Sequence, residues 1–432
     1  MPKPKNILII SYYWPPAGGP GVQRWLKFVK YLPDFGWTPT VYTPENPSYP
    51  LIDETLNAEA SPQTKIIKTK IWEPYAIAEK LNRQNKKFKS GQFDVGKNQS
   101  WKSKLSIWIR GNFFIPDARV FWVKPSVKFL KRYLEQNPTE VLVTTGPPHS
   151  MHLIGLRLKK IFPNLRWVAD FRDPWTEISY YQHLKLTPFA DRKHRHLEQE
   201  VFQNADLVLA TSYTDAAHFK AQGANAFCIT NGFDKETENS SETLEHQGFV
   251  MSYIGVLEQL RNPKVLWTVL NEILKEEPSF SQDFKLKLVG KIDPQIIQEW
   301  QGTPLQSKIE ILGYLSHNDA VTEMKNADVL LITNFPNPQS QGIIPGKLFE
   351  YLASGQPILS FGPPSADVKK ILHETHTGKH FTYAEASKVK SYILQIYQQW
   401  KSQSMPTQQR QIQQFSRKNL TKQLVDLLEK IN

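Results

Sequence analysis

Short apolar runs alternate with helix-patterned stretches along the chain, and the alternation occurs twice over. In the first half the runs are Ile7 to Ser11, Trp37 to Thr43, Ile66 to Ile71, Glu140 to Thr145, Arg166 to Asp170 and Ala205 to Thr211. In the second they are Phe249 to Gly255, Phe284 to Gly290, Lys308 to Leu315, Ala327 to Thr333 and Pro357 to Ser360. Runs this short and this apolar predict strands of buried parallel sheets. Between them, Trp25, Leu26, Phe28, Val29 and Leu32 recur at helical spacing and predict a helix over Val22 to Leu32. Further helices are expected at Val127 to Glu135, Leu197 to Asn204, from Asn262 through Leu274, and at Ala320 to Asn326. The fold class is therefore α/β, with two Rossmann-like doubly wound domains.

The polar stretch Lys235 to Gly248 reads as a linker. It sets the first domain at 1–240 and the second at 249–408. Residues 409–432 hold a last helix, about Lys418 to Leu428, whose Leu420, Leu424, Val425, Leu427 and Leu428 share one side and pack back on the body. The Gln-rich run Ser402 to Gln414 reads as a connector. A length of 432 residues gives each domain its own core.

Charge adds a preference for anions. The formal net charge is +12 and the isoelectric point about 9.4, which favours phosphates, nucleic acid or an acidic membrane face. No nucleic-acid motif accompanies it, so nucleic acid is not an expected partner. Cys228 is the one cysteine, which excludes a disulfide framework and fits a reducing cytoplasm. The start of the chain runs straight into a strand, with an apolar run too short for a leader or a span. Lys80 to Trp122 interleaves lysines and arginines, such as Lys86, Lys102 and Arg110, with Trp101, Trp108, Phe113, Phe114, Phe121 and Trp122. That pattern suits the surface of an anionic membrane, and equally a surface insertion with a few core aromatics.

Candidate chemistry gathers where strands end. After the first strand comes a loop, Pro-Pro-Ala-Gly-Gly-Pro-Gly, whose Gly19 and Gly21 let backbone approach a phosphate or a sugar, or simply make a βα turn. His149 follows Gly-Pro-Pro at the end of another strand and has the chemistry of a general base. Asp170, Arg172 and Asp173 end the next, either as an acid–base group or as an ion pair closing the strand. In the second half Arg261 lies on a strand-to-helix turn, a natural phosphate clamp. The stretch Gln341 to Leu359 reads as loop, helix, turn and strand, with Pro345 at the first helical position and Gly355 as left-handed cap. The free N–H groups of Gly342 to Gly346 make an anion site, Lys347 adds a cation, and Glu350 can accept from sugar hydroxyls. No His/Cys cluster and no Asp-x-Asp pair at a strand end is present, so no metal and no cofactor is expected.

Around Glu350 the chain resembles the donor-binding signature of the family 4 glycosyltransferases, retaining enzymes of the GT-B type whose two Rossmann domains face each other across a cleft. The resemblance extends over nearly the whole chain and is weakest from Lys80 to Trp122. It implies that Glu350 grips the ribose of a nucleotide, while Gly342, Ile343, Ile344 and Gly346 with Lys347 and Arg261 hold the diphosphate. Gly313 and Tyr314 match the turn that holds the base. Gly19 and Gly21 match glycines near the donor phosphates, and Gln23 a residue facing the acceptor. Asn231-Gly232-Phe233-Asp234 resembles the end of the family's first domain. An Arg-Asp pair such as Arg172-Asp173 occurs in members that build bacterial surface polysaccharide, which makes Asp173 the first candidate base and His149 the second. Glu350 matches the second of the family's two glutamates, and the chain departs from the pattern eight positions earlier, where Gly342 stands in place of the first.

The implied activity is metal-independent transfer of a hexose from a nucleoside diphosphate sugar to a hydroxyl of a glycan or lipid-linked acceptor. The implied setting is cell-envelope or exopolysaccharide assembly in the cytoplasm, at the inner face of the membrane. A sugar-nucleotide epimerase of the same fold and a non-catalytic nucleotide-sugar-binding subunit are the alternatives. A dehydrogenase is disfavoured, since the first loop lacks the G-x-G-x-x-G fingerprint with its later acidic residue.

Overall fold

A computed structural model of the chain describes residues 5–59, 64–73, 101–178, 181–234, 248–404 and 411–431. Residues 80–100 of the basic, aromatic segment, most of the linker and part of the Gln-rich connector lie outside the described residues. The chain divides into two compact units, Met1–Thr230 with Arg417–Asn432, and Asn231–Ser416.

The first unit is built on β1 (Lys5–Ile10), β2 (Trp37–Pro44), β3 (Lys65–Thr69), β4 (Val141–Gly146), β5 (Arg166–Phe171), β6 (Leu207–Ala210) and β7 (Ala226–Cys228). All pair in parallel, in the order β3-β2-β1-β4-β5-β6-β7. Its helices are α1 (Pro20–Tyr31), α2 (Trp101–Phe113), α3 (Val120–Gln136), α4 (Ser150–Ile161), α5 (Pro188–Asn204) and α6 (Tyr213–Ala221). β1 shows why the strand runs are continuously apolar. Ile7 and Ile9 enter the core on one face of the sheet, and Leu8 and Ile10 enter the core on the other.

The second unit repeats the plan with β8 (Phe249–Ile254), β9 (Phe284–Val289), β10 (Ile309–Gly313), β11 (Val329–Thr333), β12 (Ile358–Phe361) and β13 (Gly378–Phe381). Their order is β10-β9-β8-β11-β12-β13, again parallel. Its helices are α7 (Lys264–Glu276), α8 (Pro278–Asp283), α9 (Pro294–Glu299), α10 (His317–Lys325), α11 (Lys347–Ser354), α12 (Asp367–Thr375) and α13 (Ala386–Lys401). The last helix, α14 (Arg417–Leu428), belongs to the first unit and inserts Leu420, Leu424, Val425 and Leu428 into the core beneath α1.

Several elements differ in extent from the sequence expectation, α3, α5 and α11 among them. α5 begins at Pro188, with the Thr187 hydroxyl accepting from the Ala190 N–H, because its polar first half is fixed by this cap rather than by an apolar stripe. α3 begins at Val120 and carries Pro125 inside it. α11 begins at Lys347 with Gly346 as N-cap, so Pro345 precedes the helix. Its carbonyl still accepts from the Leu348 N–H at 2.9 Å, a tight turn leading into the first helical turn. Gly355 caps the other end at φ 80°, as its place in the sequence predicts. Among the described residues no helix is long and apolar enough to cross a membrane.

Candidate active site

In both sheets the strand order reverses between two parallel neighbours, at β1/β4 and at β8/β11. Loops leaving the carboxyl ends of such a pair diverge to opposite faces of the sheet and leave a crevice, the place where open α/β sheets bind ligands. The candidate residues fall on these loops and on those of the neighbouring strands.

In the first unit the loop after β1 needs glycine twice. Gly19 has φ 90° and ψ 174°, a conformation that only glycine adopts without strain, and Pro20 then opens α1. At Gly21 a Cβ would lie 2.5 Å from a guanidinium nitrogen of Arg172. That guanidinium is a loop clamp: it donates to the carbonyls of Gly21 (2.6 Å), Gly146 (3.3 Å) and Pro147. Arg172 thus ties the loop after β1 to the loop after β4. Gln23 sits half-buried on the first turn of α1.

Asp170 is completely buried. It accepts from Arg24 Nε and Nη2, from Trp25 Nε1 at 2.7 Å and from the Thr145 hydroxyl at 2.9 Å. Burial pushes its carboxyl up, but the Arg24 charge and these hydrogen bonds outweigh it and hold it below the ordinary value. Arg24 also donates to the carbonyls of Ile229 and Thr230. Asp170 therefore positions α1, and through it the glycine loop, with no free oxygen left to face a substrate. Asp173 stands at the exposed rim. The protein crowded around it pushes its carboxyl up and Arg172 pulls it back down.

His149 is 7% exposed, and its ring stacks on Trp175 with centroids 5.1 Å apart and an angle of 6°. Among the described residues neither ring nitrogen meets a protein partner. Burial, then the charges of His152, Arg172 and His194, hold its pKa well below the usual histidine value. His149 is neutral near pH 7, a ready hydrogen-bond partner for a hydroxyl rather than a strong base. His152 is lowered to about 3, chiefly by burial, and His194 is lowered by burial as well.

These three histidines make the fold sensitive to acid. Their folded pKa values lie below the unfolded value of about 6.5, so as pH falls the unfolded chain takes up protons that the fold refuses. The stability they allow is full above about pH 6.5 and is lost as pH falls toward the folded values. Going from about pH 7 to about pH 5.5 is expected to lower the unfolding free energy by about 1–3 kcal/mol, read from urea curves at the two pH values.

In the second unit the loop Gln341 to Gly346 is braced from two sides. Asn334, at the end of β11, donates to the Ile343 carbonyl at 2.8 Å, and the Asp367 N–H at the start of α12 donates to the Gln341 carbonyl at 2.9 Å. The Ile343 N–H is spent on the Ser340 carbonyl at 3.0 Å. Among the described residues the N–H groups of Gly342, Ile344 and Gly346 have no protein acceptor. The sequence did not foretell that Ile343 is excluded from the set of open amides, since this depends on the turn at Ser340.

Lys347 Nζ donates to the Ile254 carbonyl at 2.8 Å and lies 3.8 Å from the centre of the Tyr253 ring. Burial, then the Arg261 charge, lower its pKa to about 7 against the opposing pull of Glu350. Gly255, at φ 131°, keeps the space beside it clear: a Cβ there would lie 3.4 Å from Nζ. Arg261 sits over Phe335, 5.7 Å from its centre, with Nε buried and without a protein partner among the described residues. Its nearest carboxylate, Glu258, is 3.6 Å away. Glu350 is half-buried on the first turn of α11, on the same side as Lys347. Gly313, at φ 69°, accepts from the Gly290 N–H at 2.6 Å, and Tyr314 beside it is 94% exposed. Sequence reasoning missed Asn334, Tyr253 and Arg24, which hold the site from below. Arg24, a charge among the apolar residues of α1, was the one legible signal.

Two parallel α/β domains in this strand order have the GT-B architecture. Neither a protein-family model nor a curated protein matches the chain by sequence. Solved structures match it by fold. Sucrose-phosphate synthase from Thermosynechococcus elongatus is 15% identical, with 99% of each chain covered and a TM-score of 0.57. The lipopolysaccharide outer core galactosyltransferase WaaB is 14% identical, covering 98% of this chain and 99% of its own, with a TM-score of 0.56. UDP-GlcNAc 2-epimerase from Neisseria meningitidis is 13% identical, covering 98% and 100%, with a TM-score of 0.53. At these identities the likeness is one of fold.

Proposed function

We propose that this protein is a retaining glycosyltransferase that moves a hexose from a nucleoside diphosphate sugar to a hydroxyl of a glycan or lipid-linked acceptor. Cell-envelope or exopolysaccharide assembly, in peripheral contact with the inner face of the cytoplasmic membrane, is the setting. The observation that carries the reading is the grouping at the β8/β11 crevice. Two cations, Lys347 and Arg261, stand with three open backbone N–H groups, beside a carboxylate, Glu350, on a helix start. That set matches a diphosphate followed by a ribose. The same groups would stabilise the diphosphate as it leaves, without a metal.

In the first unit Asp173 would take the acceptor proton. His149, neutral, would hold a hydroxyl of the sugar or the acceptor. Arg172 and Asp170 are positioning residues, for the loops and for α1. Gly19 and Gly21 would approach the donor phosphates, Gln23 would face the acceptor, and Gly313 and Tyr314 would border the base. The galactosyltransferase and synthase neighbours support transfer; the epimerase neighbour supports a second reading, in which the donor alone is isomerised.

Thermal shift with uridine and guanosine diphosphate tests the proposal. A ligand at about a hundred times its dissociation constant adds about 2.7 kcal/mol to stability. A shift is expected with one of them and is expected to vanish in Glu350→Ala. If neither nucleotide shifts the wild type, the reading fails. If the donor sugar is epimerised without any acceptor, the second reading replaces it.

A further inference from the structure

α2 is built the wrong way round for a helix of a water-facing surface. Its inner side is fixed: Ile107 packs with Tyr181 and Leu184, and a Cβ at Gly111 would lie 2.7 Å from Leu186. Asn112 pins the same end, donating to the Trp108 and Lys185 carbonyls and accepting from the Thr187 N–H. Its outer side carries Leu105, Ile109 and Phe113, exposed by 45%, 38% and 68%. Positions i, i+4 and i+8 lie in one line, so these three form a single apolar stripe about 12 Å long.

An aromatic group follows the stripe in the chain. Phe114 follows Phe113 and meets Phe121 at 5.8 Å, and Phe121 meets Trp72 edge-on at 4.7 Å. Phe121 and Trp72 are themselves 43% and 54% exposed. Exposed apolar side chains grouped on a rigid mount mark something that covers them.

The charge around it decides what. From residue 101 to 132 the chain holds eight lysines and arginines and one acid, Asp117. That acid is turned inward, accepting from the backbone N–H groups of Arg119 and Ser150. Lys124 and Lys128 are exposed on the first turns of α3, next to the aromatic group. A second copy of this chain would set the same positive surface against itself. A sheet of anionic headgroups over acyl chains meets both features: phosphates for the cations, the acyl boundary for the stripe, and headgroup depth for the aromatic rings.

We propose that α2, with Trp72 and the start of α3, is an in-plane anchor that seats the first unit on an anionic membrane. It gives a defined surface to the membrane contact in the reading above, and it uses none of the residues assigned to the nucleotide site.

The test is flotation of the full chain with phosphatidylcholine vesicles, with and without phosphatidylglycerol. Binding is expected only to the vesicles that contain phosphatidylglycerol, and is expected to weaken as salt screens it. The triple variant Leu105→Ser, Ile109→Ser, Phe113→Ser removes only exposed side chains. It is expected to lose at least about tenfold in partitioning, while keeping its thermal shift with nucleotide. Lys124→Glu with Lys128→Glu is expected to lose binding without touching the stripe. Two results overturn the proposal: no flotation at low salt, or flotation unchanged in the triple variant. Sedimentation that shows a dimer in the wild type and a monomer in the triple variant, without vesicle binding, would assign the stripe to self-association instead. Loss of the nucleotide shift alone would count against the transferase reading and leave the anchor standing.

Discussion

Replacing Asp170 by alanine is expected to lower the unfolding free energy by about 3–5 kcal/mol, the cost of stranding one member of a buried ion pair. The magnitude follows from the geometry. Arg24 and Asp170 are 1% and 0% exposed, 2.9 Å apart, and the carboxylate takes further hydrogen bonds from Trp25 and Thr145. Without it the guanidinium keeps only the Ile229 and Thr230 carbonyls, and its charge stays out of water. The pH dependence has a definite sign. The folded pKa of Asp170 is depressed, so its stabilisation is present above the unfolded carboxylate value and is lost as pH falls through the folded value. The gap between wild type and Asp170→Ala should therefore close in acid. A double variant, Arg24→Met with Asp170→Leu, should recover much of the loss, because the buried pair and a well-packed apolar replacement are close in free energy. Urea unfolding of the wild type, Arg24→Met, Asp170→Leu and the double variant gives the coupling. A cost for Asp170→Ala below about 1 kcal/mol would mean that the pair does not hold α1 in place.

Binding of a nucleoside diphosphate is expected to draw a proton from solution above neutral pH, and Lys347 is the group that takes it up. In the free protein its amine is pressed down to about 7, first by burial and then by Arg261. A diphosphate beside it favours the charged form and returns the pKa toward the ordinary lysine value of about 10.4. Below about pH 7 the amine is already protonated and binding moves no proton. Above it, binding must protonate the amine, so affinity should fall by up to about tenfold per pH unit until the bound-state value is reached. Calorimetry at about pH 8.5 in two buffers of different ionisation heat measures the uptake, which should approach one proton. Lys347→Met should abolish the uptake. Arg261→Ala should weaken binding by about 10–100-fold, the loss of charge-assisted hydrogen bonds to phosphate. An uptake of zero in the wild type, with tight binding, would place the phosphate away from Lys347.

Much of this was legible along the chain, and the part that was not has a common cause. Continuous apolar runs announced strands buried on both faces, and Gly355 announced the left-handed cap that ends α11. Arg261, Lys347, Glu350 and Asp173 could be named from their places after strands, because in a doubly wound sheet the loop after a strand always opens on the carboxyl edge. What each group does with its charge could not. Asp170 and Asp173 are three residues apart and look alike in sequence. One is sealed under α1 by an arginine nearly 150 positions away; the other stands at the rim. His149 reads as a base until Trp175 and its histidine neighbours strip it of water.

Local pattern and turn chemistry decide where an element starts, which way its side chains alternate and on which edge a loop emerges, since these depend on neighbours a few residues off. Burial and partnership depend on what the folded chain brings from far away, and they set whether a carboxylate is sealed, a lysine neutral or an amide open. The parallel strands, the two-unit plan and the loops that carry the candidate groups belong to the first kind. The Arg24–Asp170 lock, the neutral His149, the near-neutral Lys347 and the outward stripe on α2 belong to the second, because desolvation and packing are properties of the assembled core.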